Sequence, residues 1–296
     1  MRTSLPYIVI CLALTGTSCN YVPCRLDRNG PTAIVGAFEE ETALLNQQMS
    51  NRQEHSVEGI SFFTGKLSSR QIVLAETGIG KVNAAMVTTL VIEKFEPDEV
   101  IFSGIAGALN PELSPGDIVI AEKIAQHDYG LVSDAGFETT ATINPIDNLH
   151  NPLFFAADKR LLGVARTAGE RVSLNQVETT EGLIQPKITT GVVVTGDCFV
   201  ASNEFGRRLR ESLGADAVEM EGAAVAQVCY QRKVPCIIIR SISDKADETA
   251  VADLERFQKM AARNSATLVA EMVQRLERSN SAISRASRAQ ERVHGD

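Results

Sequence analysis

Tryptophan is absent from the 296 residues, and aromatic side chains make up only 5% of them. Stacking platforms of the kind that hold single-stranded nucleic acid are hard to build from so few rings. No basic run falls inside the body of the chain, and the formal net charge is -8. A nucleic-acid surface needs clustered positive charge, so that class of partner is excluded. Cysteine is sparse past the first two dozen residues, where only Cys198, Cys229 and Cys236 remain. Without a CxxC pair they provide neither a disulfide framework nor a zinc site. Cys229 lies in an apolar helical stretch and Cys236 in an apolar strand, where a small buried thiol is the ordinary reading. No structural metal and no cofactor is expected. A full dinucleotide fingerprint and a Walker loop are missing too, although Gly78-Ile79-Gly80 leads into a helix and Gly104-Ile105-Ala106-Gly107 ends a strand. Such glycines let backbone N–H groups approach a ligand without saying which.

What the chain does have begins with a leader. Residues 1–24 start with Arg2, continue through the apolar run Tyr7-Ile8-Val9-Ile10-Cys11-Leu12-Ala13-Leu14 and end in small residues. A charged start, an apolar run too short to span a bilayer and a small-residue exit describe an export signal. Gly16-Thr17-Ser18-Cys19 is similar to a lipoprotein cleavage site, with Gly16 where such sites usually have Leu; lipidation at Cys19 would anchor the chain to a membrane. The expected location is therefore outside the cytosol, periplasmic or membrane-anchored, and cytoplasmic only if residues 1–24 are not a working signal. At the other end, 279–296 is polar and Arg/Ser-rich and is expected to be disordered, because it cannot bury enough apolar area to offset ordering. About 245 residues lie between, the size of one large α/β domain.

Within residues 31–278 strands alternate with helices. Ala33-Ile34-Val35-Gly36 is a short apolar strand, and Glu39 to Met49 carries helical spacing. Gly59–Gly65 and Gln71–Glu76 form a hairpin across Ser68-Ser69, and Ala84–Phe95 is an apolar helix. Further strands are expected at 100–104, 117–121, 191–195, 216–220 and 236–239, with helices at 203–213, 223–232 and 253–278. This alternation predicts an α/β fold with a mostly parallel sheet covered on both sides. Residues 127–187 are the least regular: they carry His127, read as a loop residue, a Thr-rich and Asn/Pro-rich loop, the amphipathic stretch Phe154–Ala168 and a polar segment to Lys187, and a long ordered loop of this kind often serves as a lid or a partner contact.

Acids gather where apolar strands run out: Glu39-Glu40-Glu41, Glu219-Met220-Glu221 and Ser243-Asp244. In an open α/β sheet ligands bind beyond the carboxyl ends of strands, so three acidic strand ends imply one cleft. Each acid also has a plain structural reading. An Asp after Ser often caps the next helix, and acids in a first helical turn are favoured by the dipole. Glu219 and Glu221 are harder to explain that way, since strand alternation would put both on one face, where buried like charges need partners.

Six stretches, taken in order, resemble the 5'-methylthioadenosine/S-adenosylhomocysteine nucleosidases of the purine nucleoside phosphorylase superfamily. They are Gly36–Glu41, Thr77–Ala84, Ser103–Gly107, Gly196–Val200, Val218–Ala224 and Arg240–Asp244. The resemblance implies a three-layer α/β/α sandwich around a large mixed β-sheet, a homodimer, and hydrolysis of the bond between adenine and ribose. It makes Asp244 the general acid at adenine N7, supported by Ser243, and Glu41 the base that activates water. Glu221 would hold the ribose hydroxyls over a floor of Glu219 and Met220. Phe199 would stack on adenine and the Val200 backbone would read its edge, with Phe38, Ile79, Ile105, Cys198 and Phe257 completing the pocket; Leu254 is a further candidate on the last helix. Asp244 would have to hold a proton at neutral pH, which needs burial or a hydrogen-bonding neighbour. Two departures stand out: Ile105 where many members have Ser or Thr, and Phe38 in place of a usual Met.

Phosphorolysis is the rival reaction. Phosphate would need fixed positive charge, and the first loop offers Glu39–Glu41 while Arg240 is the one basic residue near the site, its position beside Glu221 equally suited to an ion pair. A non-catalytic exported nucleoside-binding protein is the other rival.

Overall fold

A computed structural model describes residues 30–179 and 182–293, with side chains to Leu276. The expected export signal, with Cys11, Cys19 and Cys24, lies outside the described residues.

The chain lays down β1 (Thr32–Gly36), α1 (Glu39–Gln48), β2 (Ser50–Val57), β3 (Ile60–Leu67), β4 (Arg70–Glu76), α2 (Lys81–Phe95), β5 (Glu99–Ala108) and β6 (Ile118–Gln126). Two short hairpin strands, β7 (Gly130–Ser133) and β8 (Gly136–Thr139), come next. They are followed by β9 (Phe155–Ala156), α3 (Lys159–Gly169), β10 (Val177–Thr179) and β11 (Gly182–Ile184). The last third adds β12 (Ile188–Thr195), α4 (Asn203–Leu213), β13 (Ala217–Glu219), α5 (Gly222–Arg232), β14 (Cys236–Asp244) and α6 (Ala250–Val293).

The main sheet runs β13-β12-β6-β14-β5-β1-β4-β3-β2. Its centre is parallel where β14, β5, β1 and β4 lie side by side. It turns antiparallel at β14 against β6 and across the β4-β3-β2 meander. The sheet is thus mixed, as expected. An antiparallel pairing of β13 with β5, Val218 opposite Gly107, closes one end of the sheet on itself. That closure carries the end of β13 to the ends of β5 and β14, where Asp244 sits opposite the same Gly107.

Strand alternation explains the layers. Ala33, Val35, Val73, Val100, Phe102, Val119 and Ile238 point to one face, where they pack against Ala84, Val87 and Val91 of α2 and Ala223 to Cys229 of α5. Their neighbours Ile34, Ile72, Leu74, Ile101, Ile118, Ile120, Ile237 and Ile239 point to the other, against Leu45 of α1, Leu161 and Ala165 of α3, and Leu268 to Leu276 of α6. A smaller cluster under α4 joins Leu109, Val194, Leu209 and Val218. The result is the three-layer α/β/α sandwich.

Three features stand apart from the regular alternation. Strand β2 has no apolar alternation (SNRQEHSV) and is exposed or half-buried throughout. It is held by backbone pairing to β3 on the sheet's edge, where charged residues discourage edge-to-edge association. The 127–187 stretch holds short hairpins between loops and, over most of the amphipathic segment, the helix α3, capped by Asp158 accepting from Leu161 N at 3.0 Å. Finally, α6 continues to Val293 through much of the stretch expected to be a disordered tail. Residues 279–293 contain no Gly or Pro and include three Ala and three Arg among their serines, so nothing in them breaks a helix.

Candidate functional site

Five carboxylates line a single cavity of about 360 Å³ at the carboxyl ends of β1, β5, β13 and β14. Glu40 and Glu41 come from the first turn of α1, Glu219 from the end of β13, Glu221 from the residue before α5, and Asp244 from the end of β14. Phe38, Ile79, Ile105, Phe199, Met220, Ser243, Leu254 and Gln258 line it too, and among the described residues no Lys, Arg or His does. A small adjoining cavity, shared by Phe199, Met220 and Asp244, is bordered by Cys198 and Val200.

The charge is balanced from below by Arg240. Alternation along β14 puts it on the same face as Ile238 and Ile242, a position otherwise filled by hydrophobes, and it is fully buried. Its guanidinium lies 4.0 Å over the Phe102 ring. Nη2 donates to Glu219 Oε2 at 2.5 Å and lies 4.0 Å from Glu221 Oε2. Gly104 makes room on the other side: a Cβ there would fall 1.9 Å from Arg240 Nη1 and 2.5 Å from Glu41 Oε1. Only glycine lets the backbone pass between acid and cation.

Each acid has distinct partners. Glu41 Oε1 accepts from Ile105 N at 2.9 Å and Oε2 from Ala37 N at 2.5 Å. Burial nonetheless raises its pKa to about 7, against the pull of Arg240 and the two N–H groups and with a further push from Glu219. The backbone at Ile105 therefore grips Glu41, whatever the side chain there. Glu221 accepts from Gly80 N at 2.8 Å, and burial together with the Glu219 charge raises it to about 8. Asp244 accepts from Ser243 Oγ at 2.7 Å and from Ala246 N at 2.9 Å. Burial lifts its pKa above the ordinary carboxylate value, the two hydrogen bonds oppose that, and the charges of Asp253 and Asp247 add to it.

Glu219 lines the cavity and is also bound from below. Its Oε2 accepts from Gly222 N at 2.7 Å and Glu221 N at 3.1 Å as well as from Arg240, while Oε1 accepts from Thr195 Oγ1. These bonds let it hold Arg240 and the start of α5 from its place on the cavity wall. Glu221 is not on the strand at all: it is the N-cap residue of α5, with φ -136° and ψ -38°. The shared face expected from alternation therefore does not exist, and the turn itself aims Glu221 into the cavity.

Phe257 also departs from its expected part. It borders a separate cavity with Ser114, Pro115, Thr179 and Ile184. The contribution of α6 comes from Leu254 and Gln258, four residues apart on one helical face, from which Phe257 is turned by about 100° relative to Gln258. His127, read as a loop residue, is buried, and its ring occupies the space over Gly196, where a Cβ would fall 2.3 Å away. Gln258 and the role of Glu219 as anchor went unrecognised in the sequence. An Arg inside an apolar strand was the signal for the latter, because a buried guanidinium demands a carboxylate.

The family model for the phosphorylase superfamily matches residues 31–274. The 5'-methylthioadenosine/S-adenosylhomocysteine nucleosidase of Anoxybacillus flavithermus is 40% identical over 247 residues, covering 82% of this chain and 98% of the relative. The chain belongs to the methylthioadenosine/S-adenosylhomocysteine nucleosidase family. Among solved structures, the Neisseria meningitidis nucleosidase in complex with methylthio-immucillin-A matches with a TM-score of 0.71 and 39% identity, covering 82% of this chain and 98% of that one. The futalosine hydrolase of Helicobacter pylori matches at 0.69 and 30%, covering 83% and 98%. In this member of the family Glu41, Glu221 and Asp244 face one pocket.

The raised acids make stability depend on pH in a stated direction. Above about pH 4.5, the ordinary value, the unfolded chain releases protons that folded Glu41 and Glu221 keep until about 7 and 8. Stability should therefore fall as pH rises from 5 to 8. Replacing Arg240 with Met should cost about 3–5 kcal/mol at pH 8 and less at pH 5, where the acids can take protons. Urea midpoints across that range check both, and a loss independent of pH would contradict the electrostatic account.

Proposed function

We propose that the protein hydrolyses the N-glycosidic bond of 5'-substituted adenine nucleosides, 5'-methylthioadenosine and S-adenosylhomocysteine being the leading candidates, to adenine and the corresponding thioribose. One observation carries the reading: Asp244 and Glu41, both with raised pKa, face one pocket that also holds Glu221 and has no cation on its wall.

Cleavage needs adenine to leave with a proton, the sugar to survive as an oxocarbenium-like species, and water to be deprotonated as it attacks. Asp244 donates its proton to N7 as the C1'–N9 bond breaks and the bonding pair moves into adenine. Water adds to C1', and Glu41 takes the proton it sheds. A base near pKa 7 is poised for that transfer at neutral pH. Glu221 accepts from the ribose hydroxyls, with Met220 as apolar floor and Phe199 against the base. Leu254, Phe38 and Ile105 supply apolar surface for the 5'-substituent. The names of the relatives support this substrate class, and the futalosine hydrolase among the structural matches leaves the 5'-group as the variable part.

Phosphorolysis is disfavoured by the same wall. A phosphate dianion would meet Glu40, Glu41 and Glu221 without a basic side chain to hold it. The non-catalytic reading is disfavoured because binding alone does not need an acid and a base with raised pKa side by side. Incubation with methylthioadenosine in phosphate-free buffer should release adenine and free methylthioribose, with Asp244→Asn slower by about 10²–10⁴-fold. Dependence on added phosphate, or no turnover of any adenine nucleoside, would overturn the reading.

The homodimer is part of this proposal. Val82 and Met86 are exposed one turn apart on α2, and Leu131, Val132 and Phe137 are exposed on the β7–β8 hairpin. Exposed apolar side chains on each of these two elements make them the proposed contact surface. Light scattering should give twice the chain mass, and Val132→Asp should lower it; a wild-type monomer at all concentrations would contradict the assignment.

A further inference from the structure

The loop that carries Phe199 and Val200 is fastened by groups that take no part in the chemistry. Asp197 Oδ1 accepts from Lys81 N at 2.8 Å, and Asp197 N donates to Asp128 Oδ2 at 2.8 Å. Lys81 Nζ donates to Asp128 Oδ1 at 2.6 Å and to Gln126 Oε1 at 3.1 Å, and lies 4.0 Å from Asp197 Oδ2. Three segments distant in sequence therefore meet at one ammonium: the start of α2, the end of β6 and the loop after β12. The residue before Lys81 gives its N–H to Glu221. One turn of backbone thus holds the ribose carboxylate with Gly80 and the base loop with Lys81.

We infer that Lys81 is a positioning residue that sets the adenine-facing loop relative to Glu221 by neutralising the Asp128–Asp197 pair. This rests on the nucleosidase reading given above. Without the ammonium, two carboxylates would face each other across one N–H bond, and the loop would be driven outward from α2. Burial pushes Asp128 up, yet the ammonium and the Asp197 N–H outweigh it and hold that carboxyl below its usual range. The cluster is partly wet, with the Lys81 side chain 17% and Asp197 47% exposed, so dissolved salt should weaken it. Loop position governs base binding more than the bond-breaking step, because Asp244 and Glu41 are anchored elsewhere.

The test uses the full chain, methylthioadenosine turnover and calorimetric binding of adenine. Lys81→Met should raise KM and weaken adenine binding by about tenfold or more, as expected for loss of a charge-assisted contact, with kcat changed much less. Asp128→Asn added to Lys81→Met should recover a substantial part of that loss, because it removes the repulsion while its amide oxygen still accepts from Asp197 N. A purely structural role would not be rescued by a second substitution. If Lys81→Met does not fold, the wild type suffices: its KM should rise with ionic strength while kcat holds. Unchanged KM in Lys81→Met, no rescue by Asp128→Asn, or a wild-type KM indifferent to salt would each overturn the positioning role. A wild-type chain that neither cleaves the nucleoside nor binds adenine would overturn the nucleosidase reading and this inference with it.

Discussion

A fully buried guanidinium in the middle of an apolar strand is the constraint around which this molecule is arranged. Arg240 costs several kcal/mol to desolvate, and nearby carboxylates have to offset that cost. Glu219 takes one charge-assisted hydrogen bond from Nη2 while Nε and Nη1 have no hydrogen-bond partner among the described residues, Phe102 gives the guanidinium a ring face, and Gly104 keeps the adjacent backbone thin enough for Glu41 to come close. Phe102 and Gly104 lie beside Arg240 on the neighbouring strand β5, while Glu219 ends β13 and Glu41 opens α1 at the cavity. The closure of the sheet by β13 on β5 is what brings Glu219 to Arg240. Topology and electrostatics are therefore one feature here.

From that anchor the acids acquire different characters. Glu219 is tied to the cation, to Thr195 and to the start of α5. Glu41 and Glu221 lie further from the guanidinium and are raised by burial to about 7 and 8, with Glu219 as a like-charged neighbour. Asp244 is raised by burial while Ser243 holds one of its oxygens. Acids that feel different surroundings within one pocket can hold different protonation states, which is the condition for acid and base to coexist at one pH. The N-terminus of α2 adds a second organiser, offering Gly80 N to Glu221 and Lys81 N to Asp197.

Much of this was legible in the sequence because strand ends are marked twice, by loss of apolar alternation and by the arrival of acid or glycine. The parallel centre, the β3–β4 hairpin across Ser68-Ser69, the helix at Asn203–Leu213 and the gathering of Glu41, Glu221 and Asp244 all follow from such marks. Other features left weaker traces. Strand β2 is polar on both faces and exists by backbone pairing at an edge, so alternation could not show it. Glu221 looked like a strand residue, because nothing local announces that β13 stops at Glu219 and that the turn into α5 begins there. Phe257 looked like the pocket residue of α6, although helical phase gives that part to Leu254 and Gln258. The burial of His127 depends on Gly196 meeting it across the fold, a contact between positions far apart in sequence.

The central claim is that water, activated by Glu41 above a buried Arg240, attacks the anomeric carbon. Single-turnover cleavage of methylthioadenosine in ¹⁸O-labelled water, quenched before sugar ring-opening can exchange the label, tests it most directly. The account predicts one labelled oxygen on C1 of the released thioribose, the same yield with and without phosphate, and no labelled product from Glu41→Gln in that time. An unlabelled sugar phosphate would instead show that the pocket delivers another nucleophile.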